Sequence, residues 1–195
     1  MANVRDVAKL FIDIAERQEE NEQGDGMSNL KLQKLLYFAQ GWYMARYGKP
    51  LFAAPIEAWR LGPVVPLIYS EYQRFGKNPI HDAPPTEDAF TAEEFELLMD
   101  IVREYWQFST SALVDMAHEA GTPWAKAYRA DTPHIPLDNA EIRKYFEAQA
   151  PLPTFKDVLE RAKRKIPVVS PVGYSETGAA IFSQESAEDW GEWDE

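Results

Sequence analysis

The chain has 195 residues, 45% of them hydrophobic, with six tryptophans, nine tyrosines, ten phenylalanines and no cysteine. This length fits one domain of ordinary size with a modest extension. The lack of cysteine excludes disulfides, thiolate zinc sites, iron–sulfur clusters and a thiol nucleophile. The longest stretch without a charged residue, 35–45, is much shorter than the ~20 residues that cross a bilayer. The N-terminus also lacks the apolar run of a signal peptide. Together these features predict a cytoplasmic protein that does not engage membranes.

The net charge of −12 is concentrated at the C-terminus. Residues 175–195 contain seven acidic side chains and no basic one, so the first 174 residues are only mildly acidic. Charge of this kind bears on solubility and association rather than on fold. We expect this acidic tail to be disordered. Two roles are open for it: it steers a basic partner, or it shields the chain's own basic cluster at 161–165.

Helical periodicity dominates the first half of the chain. The pattern predicts a first helix that is capped by Asn3 and ends in a polar loop at 19–26. A second helix runs from about Ser28 to Tyr47, where Gly48 stops it. Because this second helix carries large apolar residues on more than one side, we predict that it is central and packed nearly all round.

An extended segment and several capped helices follow. Residues 51–61 alternate like a β-strand, and the proline-rich turn at 62–66 precedes a helix over 67–75. Four later helix starts are marked by capping residues: Thr91 with Glu94, Ser109 or Ser111, Thr122 with Pro123, and Asp138 with Glu141. The fold class is therefore mainly α: a compact helical domain with a short extended segment near 51–61 and at most one strand pair.

Prolines at 151 and 153 mark a boundary. We therefore predict a helical domain over 1–150 and a C-terminal extension over 151–195. The extension begins with a helix capped by Thr154 and Asp157, whose basic residues form either a phosphate-binding or a solvated face. Its β-like apolar residues either add a strand to a partner or fold back on the domain; they are Val168, Val169, Val172, Ile181 and Phe182.

The sequence offers no active-site motif. His118-Glu119 begins like the zinc-protease motif HExxH, but Thr122 stands where the second histidine is needed. There is no GxSxG elbow and no glycine loop for phosphate. Carboxylates are plentiful, and no spacing singles out an acid/base pair. We therefore predict a protein that is not an enzyme and that has no catalytic residue, no metal and no cofactor.

Segments 30–52 and 56–72 resemble the Panacea domain of SocA-like antitoxins, a family often found in prophages. The most specific parts are the run 31–37, Ala58-Trp59, and Gly62-Pro63-Val64. The pattern HxxxxPW, from His118 to Trp124, supports the resemblance further along the chain. The resemblance extends from about Val4 to Phe146.

The resemblance implies a bacterial antitoxin, encoded beside a toxin gene, that neutralises a cognate protein toxin by direct contact. The alternative it implies is an adapter that delivers the toxin to a Clp-type protease. An enzyme acting near His118 and Glu119 is a third hypothesis. Many relatives carry a DNA-binding helix-turn-helix, usually N-terminal. This chain begins at once with the Panacea-like helices, so we do not expect direct DNA binding.

The motif residues fall into two groups. We interpret one group as core or turn residues: Leu32, Leu35, Leu36, Gly62, Pro63, His118, Pro123 and Trp124. The other group contains the candidates for partner binding: Lys31, Gln33, Lys34, Tyr37, Trp59, Arg60 and Val64. Its polar members alternate with the leucines and are expected to share an outward face, although Arg60 has an alternative as an ion pair with Glu57. Aromatic residues such as Tyr37 are typical of a core and also of interface anchors.

Overall fold

The computed structural model of the chain describes residues 1–20, 26–86, 88–132, 134–154, 156–158, 160, 173–174 and 180–181. Its helices are α1 (Val4–Glu20), α2 (Asn29–Tyr47), α3 (Pro66–Tyr72), α4 (Ala92–Tyr105), α5 (Thr110–His118), α6 (Pro123–Ala127) and α7 (Asn139–Glu147). Its strands are β1 (Glu57–Trp59), β2 (Gly62–Val64), β3 (Ile135–Pro136), β4 (Gly173–Tyr174) and β5 (Ala180–Ile181). The chain divides into two compact units, Met1–Thr154 and Phe155–Glu195. The predicted mainly α fold is confirmed.

Helix α2 is the central element of the first unit. The Ser28 side chain accepts the Lys31 N–H at 3.2 Å and begins the helix. Gly48 ends it in a left-handed conformation (φ 71°), with its N–H donated to the Met44 carbonyl at 2.9 Å. Every residue from 32 to 44 is buried, so the prediction of a helix packed all round is confirmed.

The chain after α2 is held by a side chain of α2 itself. Gln40 is fully buried; its carbonyl accepts the backbone N–H groups of Leu51 and Phe52, and its amide donates to the Phe52 carbonyl. These bonds satisfy backbone groups that would otherwise be paired in a sheet. The predicted extended segment over 51–61 therefore joins a sheet only from Glu57 onward.

Aromatic side chains fill the space between α2, α4 and α7. Phe38 of α2 stacks on Tyr105 of α4, with ring centroids 4.4 Å apart. Phe146 of α7 meets the edge of Trp42 at 5.2 Å and lies over Gly41. The absence of a side chain at Gly41 is what allows α7 to approach α2 this closely.

A three-stranded antiparallel sheet with the order β2-β1-β3 lies beside the helices. β1 and β2 form a hairpin with a two-residue turn at 60–61, in which Trp59 pairs with Gly62 and Glu57 with Val64. The prediction of a single strand pair is wrong, because β3 pairs with the other side of β1. A strand of two residues is too short to show the alternation of apolar and polar residues by which strands are predicted, so β3 could not be detected in the sequence.

Four of the predicted helix starts, those between residues 90 and 140, are confirmed. A side chain accepts a backbone N–H at each of them: Thr91 from Glu94, Ser109 from Ala112, Thr122 from Ala125 and Asp138 from Ala140. At α4 both hydrogen bonds of the capping box are present. At α7 it is not observed, because the Glu141 carboxylate pairs with Lys126 instead, at 3.2 Å. The helix predicted over 67–75 is split into α3 and a 3-10 turn, Gln73–Phe75.

The second unit is described over short segments only. Residues 156–158 and 160 are helical, and β4 pairs with β5 in antiparallel fashion. The predicted basic cluster at 161–165, the apolar residues Val168, Val169, Val172 and Phe182, and the acidic tail from 182 onward lie outside the described residues. Across the described parts of the chain, no helix has the length and apolar character needed to span a membrane.

Candidate functional site

Motif residues far apart in the sequence meet where α2, the β1–β2 hairpin, α5 and α6 come together. The Trp124 indole N–H donates to the Trp59 carbonyl at 2.7 Å. The His118 ring stacks on Trp124 with centroids 3.7 Å apart and planes 10° from parallel. The Lys34 ammonium group donates to the Pro63 carbonyl at 2.9 Å. The two hydrogen bonds fix the hairpin against α6 and α2, and the ring stack joins α5 to α6.

Lys34 is the unusual member of this group, because its side chain is completely buried. Within the described chain no carboxylate pairs with it, and burial lowers its pKa to about 7. The expectation that Gln33 and Lys34 face outward is wrong: α2 has no outward face along 32–44. Each of the two side chains finds its partner in the residues around β2, about thirty positions away.

Gly62 shows how tightly the groups are packed. Its φ of 101° lies in the region that favours glycine. A Cβ added there would lie 2.9 Å from the Lys34 Nζ atom and 3.4 Å from the His118 Nε2 atom. The Nε2 atom is buried and has no hydrogen-bond partner among the described residues. Burial, and then the charge of Lys34, lower the pKa of His118.

Amide side chains join α2 to the segment that follows the hairpin. The Gln33 carbonyl accepts the Val65 backbone N–H at 2.9 Å, and its amide donates to the Asn29 carbonyl oxygen at 2.9 Å. The Asn29 amide in turn donates to the Tyr69 carbonyl at 3.0 Å. The side chains of Asn29 and Gln33 are buried, and their hydrogen bonds are made within the protein. Their role in the structure is therefore to fix β2 and α3.

A groove of about 320 Å³ opens at the hairpin turn. Four of the predicted partner-binding residues line it: Gln33, Trp59, Arg60 and Val64. Asn29, Leu30, Leu61, Tyr69, Gln73 and Gly76 complete the lining. The Trp59 ring meets the edge of the Tyr69 ring, with centroids 4.8 Å apart. We name this feature the hairpin groove.

The charged group at the mouth of the hairpin groove is Arg60. The alternative of an ion pair between Arg60 and Glu57 is not observed. The Glu57 carboxylate instead accepts the Trp59 indole N–H at 2.8 Å and lies 3.4 Å from the His134 Nδ1 atom. Arg60 is exposed and has no ion pair or hydrogen bond within the described chain.

Two other candidates lie away from the groove. Lys31 borders a separate cleft of about 660 Å³, where its ammonium group donates to the Trp106 carbonyl at 2.9 Å and lies over the Trp106 ring. Tyr37 is buried against Phe38 and Phe146. Its hydroxyl has no partner among the described residues, and burial raises its pKa. Partner binding by these two residues stays a prediction.

Sequence reasoning missed Leu61 and Tyr69 as groove residues. Leu61 was missed because the turn was predicted at 62–66; the structure has strand β2 at 62–64 and the turn at 60–61, where Leu61 is 45% exposed. Tyr69 had no detectable signal, because its place depends on how α3 packs. The described residues contain no cluster of three or more histidine, aspartate or glutamate side chains that could hold a metal ion.

One family model matches the part of the chain that carries the motif cluster. Residues 32–125 match the family model described as "Antitoxin SocA-like, Panacea domain". The match runs from α2 through the hairpin to α6, and the resemblance predicted from the sequence is confirmed there.

A curated relative is Antitoxin SocA of Caulobacter vibrioides (strain NA1000 / CB15N). It is 32% identical over 109 residues, an alignment that covers 50% of this chain and 58% of the relative. The chain thus spans little more than half the length of that relative. No solved structure matches the chain significantly.

Proposed function

We propose that this chain is a non-catalytic, cytoplasmic antitoxin that binds and neutralises a cognate protein toxin. The observation that carries the proposal is the match of residues 32–125 to the SocA-like antitoxin model. The name of the relative, Antitoxin SocA, supports the same role. The matched segment contains α2 and the β1–β2 hairpin, so the hairpin groove is the surface that we assign to the toxin.

The chemistry of the groove supports a protein partner. Trp59 and Tyr69 supply aromatic faces, and Leu61 is one of the few large apolar side chains exposed in the described residues. Aromatic and arginine side chains around an apolar centre are typical of the residues that dominate protein interfaces. A toxin side chain packed against Leu61 would remove this apolar surface from water.

The proposal is tested by co-expressing the full chain with the neighbouring open reading frame. We expect the neighbour alone to stop growth, and co-expression to restore growth and give a co-purifying complex. Leu61→Asp should abolish rescue, because it places a charge at the apolar contact. Leu67→Asp is the matched control: Leu67 is 40% exposed but does not line the groove. A harmless neighbour contradicts the proposal, and rescue by Leu61→Asp contradicts the use of the groove.

The adapter hypothesis predicts a different dependence on the host. A direct neutraliser protects cells that lack the Clp-type protease as well as it protects wild-type cells. An adapter protects only when the protease is present. Protection lost in the protease-deficient strain would therefore overturn direct neutralisation.

The enzyme hypothesis is tested with the double variant His118→Gln and Glu119→Gln. His118 is held in a stack with Trp124, and Glu119 follows it as the exposed cap of α5. We expect the double variant to protect cells as the parent does. Loss of protection by a variant that is still folded would favour chemistry at these residues over the proposed non-catalytic role.

A further inference from the structure

The backbone of β2 offers no free group to a partner strand. β2 is an edge strand of the sheet, and edge strands are common sites of β-strand addition. In a hairpin with a two-residue turn, the pairs Trp59–Gly62 and Glu57–Val64 carry the hydrogen bonds, so Pro63 directs its backbone away from β1. Proline has no N–H, and its carbonyl is taken by Lys34. A ligand must therefore bind here through side chains.

Several polar groups of the groove wall are also engaged, although the Tyr69 hydroxyl and the Gln73 amide have no hydrogen bond within the described residues. The amides of Asn29 and Gln33 bond to each other and to backbone groups, and the Trp59 indole N–H is bonded to Glu57. A polar small molecule needs several convergent donors and acceptors, whereas the exposed lining of this groove is mostly apolar. The side chains of Trp59, Leu61 and Tyr69 contribute to this apolar surface.

Arg60 supplies the charge at the groove mouth. Its guanidinium is exposed and without a partner in the described chain, although the whole chain has 32 acidic side chains against 20 basic ones. Glu57, the acidic residue nearest in the hairpin sequence, is held by Trp59. A guanidinium beside an apolar wall is suited to a carboxylate, which it binds through two parallel hydrogen bonds.

From these three observations we infer that the hairpin groove takes a short acidic–apolar segment of a partner protein. A large apolar side chain of that segment packs against Trp59 and Tyr69, and a neighbouring aspartate or glutamate pairs with Arg60. The backbone of the segment makes no bond to β2. This inference rests on the proposed function, since it specifies the chemistry of the toxin segment at the same groove.

The test uses the full chain and a phage-displayed library of random 12-residue peptides. We expect the selected peptides to combine an aspartate or glutamate with a large apolar residue within three positions. The best peptide is then titrated against the parent chain and against Arg60→Glu. We expect at least tenfold weaker binding to Arg60→Glu, and recovery when the acidic residue of the peptide is replaced by lysine. Recovery by charge exchange shows that the variant is folded.

A matched variant and a modified peptide complete the experiment. Arg143→Glu makes the same change of charge on α7, where Arg143 pairs with Glu147, and we expect less than a twofold effect. Methylating the peptide backbone amides one at a time should also change affinity less than twofold. The inference is overturned if the library yields no binders or if the binders lack acidic residues. It is also overturned if Arg60→Glu prefers the same acidic peptides as the parent chain. If methylation at every second position abolishes binding, the peptide binds through its backbone, and the proposal that it binds through side chains is overturned.

Failure of this inference is distinguishable from failure of the proposed function. If co-expression rescues growth and Leu61→Asp abolishes rescue, the function stands even when no acidic peptide is selected. If the neighbouring gene is harmless while acidic peptides bind through Arg60, the groove chemistry stands and the antitoxin role fails.

Discussion

Lys34 is the single residue with the clearest consequence for stability. Its pKa is about 7 in the folded chain because it is buried without a carboxylate, whereas an unfolded lysine has a pKa of about 10.4. Between these two values the unfolded chain holds a proton that the folded chain has released. The free energy of unfolding therefore rises with pH across this window, by up to ~1.4 kcal/mol per unit. Below this pH window Lys34 is protonated in both the folded and the unfolded chain, so its contribution to the free energy of unfolding no longer changes with pH.

Replacing Lys34 with methionine tests this linkage. Lys34→Met keeps a long side chain in the core and removes the titrating group, so we expect its stability to rise less steeply than the parent's between pH 7 and 10. Urea unfolding at pH 7, 8, 9 and 10 measures the difference. Lys126→Met is the control, because Lys126 is exposed and pairs with Glu141. Parallel curves for the parent and Lys34→Met would show that Lys34 does not titrate in this range.

At the scale of elements, the crossing of α2 and α7 depends on Gly41. An added Cβ would lie 2.2 Å from the Cε2 atom of Phe146, which is far inside van der Waals contact. We expect Gly41→Ala to destabilise the chain by about 1–3 kcal/mol through overpacking, despite the better helix propensity of alanine. Urea denaturation measures the change.

A second substitution shows whether this contact is the cause. Phe146→Leu removes the ring that the new methyl group would meet. In a double-mutant cycle, we expect Gly41→Ala to cost much less in the Phe146→Leu background than in the parent. Additive effects of the two substitutions would contradict the steric explanation.

The elements also show what the sequence could and could not reveal. The caps at Thr91, Ser109 and Thr122 were predictable because capping acts within three residues. The burial of α2 was predictable from apolar residues on several of its sides. The same burial leaves no solvent face for Gln33 and Lys34, and their partners, Val65 and Pro63, become neighbours only after the hairpin docks. Long-range pairing of this kind leaves no local pattern.

At the scale of the whole molecule, the buried hydrophobic core lies within residues 2–146. We therefore expect a chain that ends at Thr154 to unfold cooperatively. A chain that ends at Gln149 loses Leu152, which packs against the core, and the Pro153 carbonyl, which accepts a hydrogen bond from Arg103. We expect this shorter chain to melt about 4–8 °C lower, equivalent to ~2 kcal/mol.

Thermal melts followed by circular dichroism compare these two truncations with the full chain. Equal melting temperatures would show that residues 150–154 contribute nothing to the helical unit. A chain ending at Thr154 without a cooperative transition would contradict the assignment of a self-sufficient core. Either result would also move the boundary that Pro151 and Pro153 predict from the sequence.

Both outer strands of the three-stranded sheet contain a proline, Pro63 in β2 and Pro136 in β3. A small sheet beside an exposed leucine is prone to self-association, because the sheet of a second copy can pair with its outer strand. Proline interrupts such growth by removing a donor from the outer strand. The two prolines therefore limit edge-to-edge growth of the three-stranded sheet, even though Leu61 is exposed beside it.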